Sequence, residues 1–269
     1  MRSSNPVLTS LTNSQRGQQA AYAPGMQQNP YQGFQESQVA DRPMTVDDVV
    51  TKTAITLGVI VVGALINFGL LLTSPGLAYI LTFVGMFGGL ITVFVSSFGK
   101  KFGSKTVTLV YAAFEGLFVG GISGLFAGVT VGGSNAAVMI GQAVLGTVGV
   151  FAGMLWVYKT GAVKVTPKFQ RVLTGAIVGV LVLSLGSLLL GLFTGTNPLY
   201  NGGPIAIVFS LVCIGLAALS FLSDFDLADR LIREGAPSNY AWGVALGLAV
   251  TLVWLYTEIL RLLSYFNRS

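Results

Sequence analysis

The sequence predicts an all-α integral membrane protein, a bundle of seven transmembrane helices with its N-terminus in the cytoplasm and its C-terminus outside. Three observations predict it. First, the 269 residues are 53% hydrophobic and only 9% charged, where an ordinary soluble domain carries about 25% charged residues. Fifteen basic and ten acidic side chains cannot clothe a soluble surface of this size. Second, the apolar residues fall into seven runs of about 20, the length that crosses a bilayer. Third, the basic residues gather in alternate connections between those runs. Glycine is abundant, at 35 residues, but without the Gly-X-Y period of collagen.

The elements follow in order. Residues 1–43 read as a disordered polar cytoplasmic tail, rich in Gln, Ser, Asn and Pro. They lack the continuous apolar stretch of a secretory signal peptide. Residues 44–269 form the seven-helix transmembrane domain. Pro43 followed by Thr45-Val46-Asp47-Asp48 marks a helix start, with an N-cap and acids in the first turn. Spans are expected at 49–73, 78–98, 106–128, 136–158, 171–194, 204–223 and 240–266. Glycine, proline and asparagine punctuate each break, from Ser74-Pro75-Gly76 to Gly235-Ala236-Pro237-Ser238-Asn239.

Orientation comes from Lys and Arg. Arg42 and Lys52 flank the first span. Lys100, Lys101 and Lys105 lie in the second connection. Lys159, Lys164, Lys168 and Arg171 lie in the fourth, and Arg230 and Arg233 follow span six. The three opposite connections, 74–77, 129–135 and 195–203, hold no basic residue. The positive-inside rule then places the N-terminus in the cytoplasm. Arg261 and Arg268 sit at the outer end and run against it.

The inventory excludes several chemistries. There is no histidine, so Ser-His-Asp and Cys-His catalysis and histidine metal sites are out. The one cysteine, Cys213, can form no internal disulfide and reads as a small buried apolar residue. Span three carries Gly116, Gly120, Gly124 and Gly128, a smooth face at i+4 spacing that suits close helix packing. It is expected at the bundle centre. Gly85 and Gly89 on span two, and Gly149 and Gly153 on span four, repeat the pattern.

The remaining interest lies in acids. Glu115 is at the middle of span three, beside the glycine face, and a charge there costs roughly 2.5–3.5 kcal/mol on insertion scales. It is either functional or a protonated hydrogen-bonding group. Glu258 in span seven can pair with Arg261 at i+3 near the outer surface. At the end of span six, Asp226 to Arg230 and Asp229 to Arg233 are i,i+4 pairs in the favourable order. Asp224 has Leu227 and Ala228 at those positions and lies nearest the membrane. Carboxylate oxygens suit hard cations, so Asp224 and Asp226 are candidates for transient calcium; no EF-hand spacing and no firm metal site exists.

At this cluster a resemblance emerges. Asp224-Phe225-Asp226-Leu227-Ala228-Asp229-Arg230-Leu231-Ile232, followed by a polar hairpin and a final helix ending Trp254-Leu-Tyr-Thr-Glu258-Ile-Leu-Arg261, resembles the Bax inhibitor-1 family. Met1-Arg2-Ser3-Ser4-Asn5-Pro6-Val7 and Met44-Thr45-Val46-Asp47-Asp48-Val49-Val50 look like its actinobacterial branch. The resemblance implies a multi-pass protein of the bacterial plasma membrane and a pH-sensitive calcium leak. In that scheme an aspartate on helix six and one on helix seven share a proton and latch the pore. Asp224 or Asp226 matches the first. The second is missing, because Val244 to Trp254 contains no acid, and Glu115 is an alternative partner.

The functional expectation is therefore a Bax inhibitor-1-like cation leak gated by Asp224, Asp226 and Glu115, with Glu258 and Asp229 secondary. No catalytic residue and no cofactor are expected. Calcium is the expected permeant ion; the partners are the lipid bilayer, calcium or protons, and no nucleic acid. The alternative is a non-conducting stress-response regulator that binds envelope proteins or membrane proteases. An intramembrane enzyme has no supporting motif, and no internal repeat points to a transporter.

Overall fold

Local chemistry starts and stops each helix. In the computed structural model, which describes residues 42–99, 101–128 and 136–267, α1 (Val46–Thr73) opens on a capping box. The Thr45 hydroxyl accepts from the Asp48 N–H, and the Asp48 carboxylate accepts from the Thr45 N–H. α2 (Pro75–Phe98) begins with proline, whose missing N–H is no loss in a first turn. Ser104 caps α3 (Lys105–Phe126), and α4 covers Ala136–Thr160. Thr166 caps α5 (Pro167–Thr194). α6 (Pro204–Arg233) again starts on proline, and α7 (Tyr240–Phe266) is the last helix. All seven helices are long and apolar enough to cross a membrane, so the chain is a multi-pass membrane protein.

Helices α1, α2 and α5 start three to four residues before the expected spans, smaller shifts occur at α3 and α4, and two ends differ in substance. α6 continues from 223 to Arg233, because its ladder of backbone hydrogen bonds runs on after the apolar run ends. Gly235, with φ of 66°, takes the left-handed turn that stops it. α3 ends at Phe126, so Gly128 lies past the helix with φ of 67° and open space where a Cβ would be. Gly128 is a turn residue, not the packing residue expected. The tail at 1–41 and the connection at 129–135 lie outside the described residues. Arg42 and Pro43, expected in the tail, belong to the bundle, as set out below.

The other glycines of α3 do pack. A Cβ on Gly116 would stand 2.6 Å from the Ile60 carbonyl oxygen and 2.9 Å from Gly63 Cα, and one on Gly120 would strike the Ala64 backbone. Gly124 receives the Leu71 side chain. On α2, a Cβ on Gly85 would sit 2.5 Å from the Phe114 carbonyl oxygen. Where lipid is as apolar as Leu, such backbone approach supplies the van der Waals contact that holds helices together. Gly149 and Gly153 on α4 have nothing within 4 Å and play no such part.

The centre of the bundle is α7, not α3. Of the most apolar window of α7, 72% is buried, against 44% for α3 and 6% for α5. α7 packs against α1, α3, α4 and α6, while α5 stands outside, against α6. Three core clusters surround α7. One, with Phe221 and Phe225, lies toward α6 and α4; one, with Ile60 and Tyr111, lies toward α1 and α3; one, with Met139, lies toward α4.

The connections bearing basic residues meet at one end of the bundle. Phe102 packs edge-on to Tyr240, Tyr158 reaches Asp229, and Lys52 reaches the Ser238 carbonyl. At the opposite end, Gly202 lies against Tyr265 and Asn267 reaches Met139.

Candidate functional site

The last turns of α6 divide their three aspartates by direction. The helix advances 100° per residue, so Asp224 and Asp226 cannot face the same neighbour. Asp226 turns to Arg230, 2.5 Å away. Asp229 takes the Arg233 guanidinium and the Tyr158 hydroxyl, the latter at 3.1 Å. Asp224 turns inward, about 14 Å from the basic end of α6 by the 1.5 Å rise per residue. Asp224 and Asp226, both named as candidates for transient calcium, thus turn to different partners. Among the described residues, no group of three His, Cys, Asp or Glu side chains could hold a metal.

What Asp224 meets is Thr251 of α7. The Thr251 hydroxyl donates to Asp224 Oδ2 at 2.7 Å and also lies 3.2 Å from its own Gly247 carbonyl oxygen. Gly247, one turn earlier, leaves room opposite the carboxyl: a Cβ there would be 4.0 Å from Asp224 Oδ1. No Lys or Arg pairs with Asp224 among the described residues. On the α4 side, Phe221 and Phe225 close the seam against Phe151, with ring centroids 5.3 and 5.5 Å apart. The second acid that the resemblance calls for on this helix is absent from Val244 to Trp254, and Thr251 is what meets Asp224. A hydroxyl donates and accepts, so it can bond an ionised or a protonated Asp224 alike. Two carboxylates cannot do that without sharing a proton.

Glu115 belongs elsewhere. Its Oε2 and the ring of Tyr111, one turn earlier on α3, both border Gly89 of α2, where a Cβ would lie 2.8 Å from Oε2 and 4.0 Å from the ring. The suggested pairing of Glu115 with a helix-six aspartate is not what the fold builds: the two acids have different partners in different seams.

Glu258 and Arg261 form the expected ion pair, but deep in the protein; both are 7% exposed. Arg261 also donates to the Ser210 hydroxyl at 3.2 Å, and its guanidinium lies 4.7 Å from the ring centroid of Tyr200. This knot ties α6, α7 and the 195–203 connection together at the end opposite the basic one. A buried pair so placed is a structural fastening; removing one partner would strand the other.

The basic end carries a feature not read from the sequence. Residues 42–45 lie as a strap along the α6–α7 hairpin. The Met44 N–H donates to the Ala236 carbonyl at 2.8 Å and the Ser238 N–H to the Arg42 carbonyl at 2.9 Å, with Pro43 facing Pro237 between them. Arg42 grips Asp48 through two bonds of 2.9 and 2.8 Å, and Lys52 donates to the Ser238 carbonyl at 2.6 Å. Met44, 2% exposed, fills the core with Phe225, Ala228 and Val244. It thus closes the α6–α7 seam at its basic end.

Sequence reasoning missed Thr251 and Met44. Thr251 carried a faint signal, a hydroxyl one turn after Gly247 on an otherwise apolar helix. Met44 carried none, since one methionine before an N-cap is ordinary.

With this geometry in place, comparison with known proteins gives one family. The family model described as Bax inhibitor 1 like matches residues 5–268. No curated protein matches the chain. The chain belongs to the Bax inhibitor 1-like family.

Proposed function

We propose that this member of the Bax inhibitor 1-like family is a slow cation leak, calcium included, whose path follows the α6–α7 seam. Asp224 sets its rate. The observation that carries the reading is the Asp224–Thr251 contact: an acid inside the bundle, held by a hydroxyl and left without a cationic partner. An ionised carboxylate lowers the cost of bringing a cation into a low-dielectric seam. At 4 Å and an effective dielectric of about 20, one unit charge is worth about 4 kcal/mol. Protonation removes that charge but leaves the Thr251 bond able to persist with its direction reversed. The pH response is therefore electrostatic, with no carboxylate pair to unlatch. Met44 and the Arg261 knot close the two ends, so passage requires one of them to move.

The test is calcium entry into vesicles holding an indicator and the purified full-length protein. Flux is expected to rise with pH in the wild type and to be low and flat in Asp224→Asn. Absence of flux, or a wild-type pH profile in Asp224→Asn, would overturn the reading.

A second reading, a regulator working through partners, draws on the strap. Residues 42–45 join whatever binds upstream to the α6–α7 hairpin. Deleting residues 1–41 would abolish co-purification of a partner protein on this reading and leave calcium flux unchanged.

A further inference from the structure

One acid within a span, Glu115, plays no part in the Asp224 seam. Glu115 lies about 15 Å into α3 from its basic end by helix rise, at the level of the bilayer middle, and its oxygens face Gly89. Gly89 is not incidental: a side chain there would occupy the position of Glu115 Oε2. Among the described residues, no Lys or Arg pairs with Glu115. α1 contributes Ile60 and Gly63 beside Gly116, α2 contributes Gly85 and Gly89, and α7 contributes Leu246 and Val253 through the core around Tyr111. Among the described residues, the titratable group set beside Glu115 is Tyr111 of its own helix, whose ring borders the same Gly89. Tyr111 is 2% exposed, with its ring packed among Ile60, Leu246, Ala249 and Val253, so the core holds the ring in place.

Around α7, the residues that face this side (Leu246, Ala249, Val253) and those that face Asp224 (Gly247, Thr251) are separated by roughly 150°, from 100° per residue. Other bonds fix the same facing. Thr108 of α3 donates to the Trp242 carbonyl at 3.0 Å, and Ser123 of α3 meets the Tyr256 hydroxyl at 2.7 Å.

We infer that Glu115 and Tyr111 form a second proton-binding site, separate from Asp224 and lying across α7 from it. An ionised carboxylate without a cation is costly at mid-membrane, so the site binds and releases a proton instead of carrying a fixed charge. Tyr111 serves as the donor that steadies the ionised form. Glu258, 7% exposed, is excluded from this role by Arg261. Because α7 is the common wall, the two sites exchange protons with different seams.

Infrared difference spectra between acid and alkaline buffers, on the full-length protein in vesicles, test this independently of any flux. Glu115→Gln should remove one protonated-carboxyl band, Asp224→Asn a different one, and the double variant both. Glu115→Gln removing no band, or either single variant removing both, would overturn the inference. Should Glu115→Gln not fold, Tyr111→Phe keeps the carboxyl and must shift the frequency of its band; an unshifted band would equally overturn it. Loss of flux with both bands intact would instead count against the leak.

Discussion

The contact between Asp224 and Thr251 makes a quantitative prediction. Thr251→Val removes the hydroxyl at nearly constant volume from a position 7% exposed, so packing changes little. Asp224→Ala removes the acceptor. Hydrogen bonds to charged groups contribute about 1.5–3 kcal/mol, whereas interhelical bonds within membranes average about 0.6 and reach about 1.7. Two features place this pair near the top of the membrane range. The acceptor is a carboxyl, and the distance is 2.7 Å. One feature pulls it down: after Asp224 is lost, Thr251 retains the Gly247 carbonyl at 3.2 Å. The expected coupling in a double-mutant cycle of unfolding free energies is therefore about 1–1.5 kcal/mol at pH values where Asp224 is ionised. It should fall by about half where Asp224 is neutral, since bonds to ions are about twice as strong as neutral ones. Coupling below about 0.3 kcal/mol at every pH would refute the view that these residues hold the seam together.

Further predictions follow from the same coordinates. Gly116→Val forces side-chain atoms onto the α1 backbone and should cost roughly 1–3 kcal/mol or more in unfolding experiments, while Gly149→Ala and Gly153→Ala, with nothing within 4 Å, should leave the melting temperature unchanged. Arg261→Met should destabilise by about 3–5 kcal/mol because Glu258 is left buried and unpaired, and adding Glu258→Gln should restore much of the loss. Cysteines replacing Pro43 and Pro237, with Cys213→Ser to leave no other thiol, should form a disulfide on mild oxidation, since bridged residues lie within disulfide reach. A reduced pair on non-reducing gels would show that the strap does not rest on the hairpin. Met44→Ala should speed that strap's release, read as slower crosslinking of the same pair.

Much of the fold was legible in the residues. Scarce charge and seven long apolar runs give the spans, because bilayer thickness fixes helix length. Thr45 with Asp48 marked a helix start that local hydrogen bonding decides. The central helix was not legible. The even glycine spacing of α3 points to a single packed face, and α3 does use it against α1. α7 instead places Ala241, Gly243, Ala245, Gly247 and Ala249 at every second residue, which at 100° per residue spreads them over several faces, as a helix with four neighbours requires; that spacing marks no single helix face. At the site, spacing separated Asp224 from its ion-paired neighbours by the absence of a basic residue at i+4, and the fold agrees. Thr251 and the Met44 strap depend on contacts 27 and 186 or more residues apart, which no local pattern encodes.

The central claim is that Asp224 faces the cation path and Asp226 does not. The most direct measurement compares Asp224→Asn with Asp226→Asn for calcium entry into the same vesicles at the same pH. Each variant removes one charge, and the two positions are two residues apart on one helix. Even a third of the roughly 4 kcal/mol assigned to the Asp224 charge is about tenfold in rate. The account predicts a loss of about tenfold or more in Asp224→Asn and flux close to wild type in Asp226→Asn, whose partner Arg230 lies at the surface. Equal losses, or the larger loss in Asp226→Asn, would contradict it.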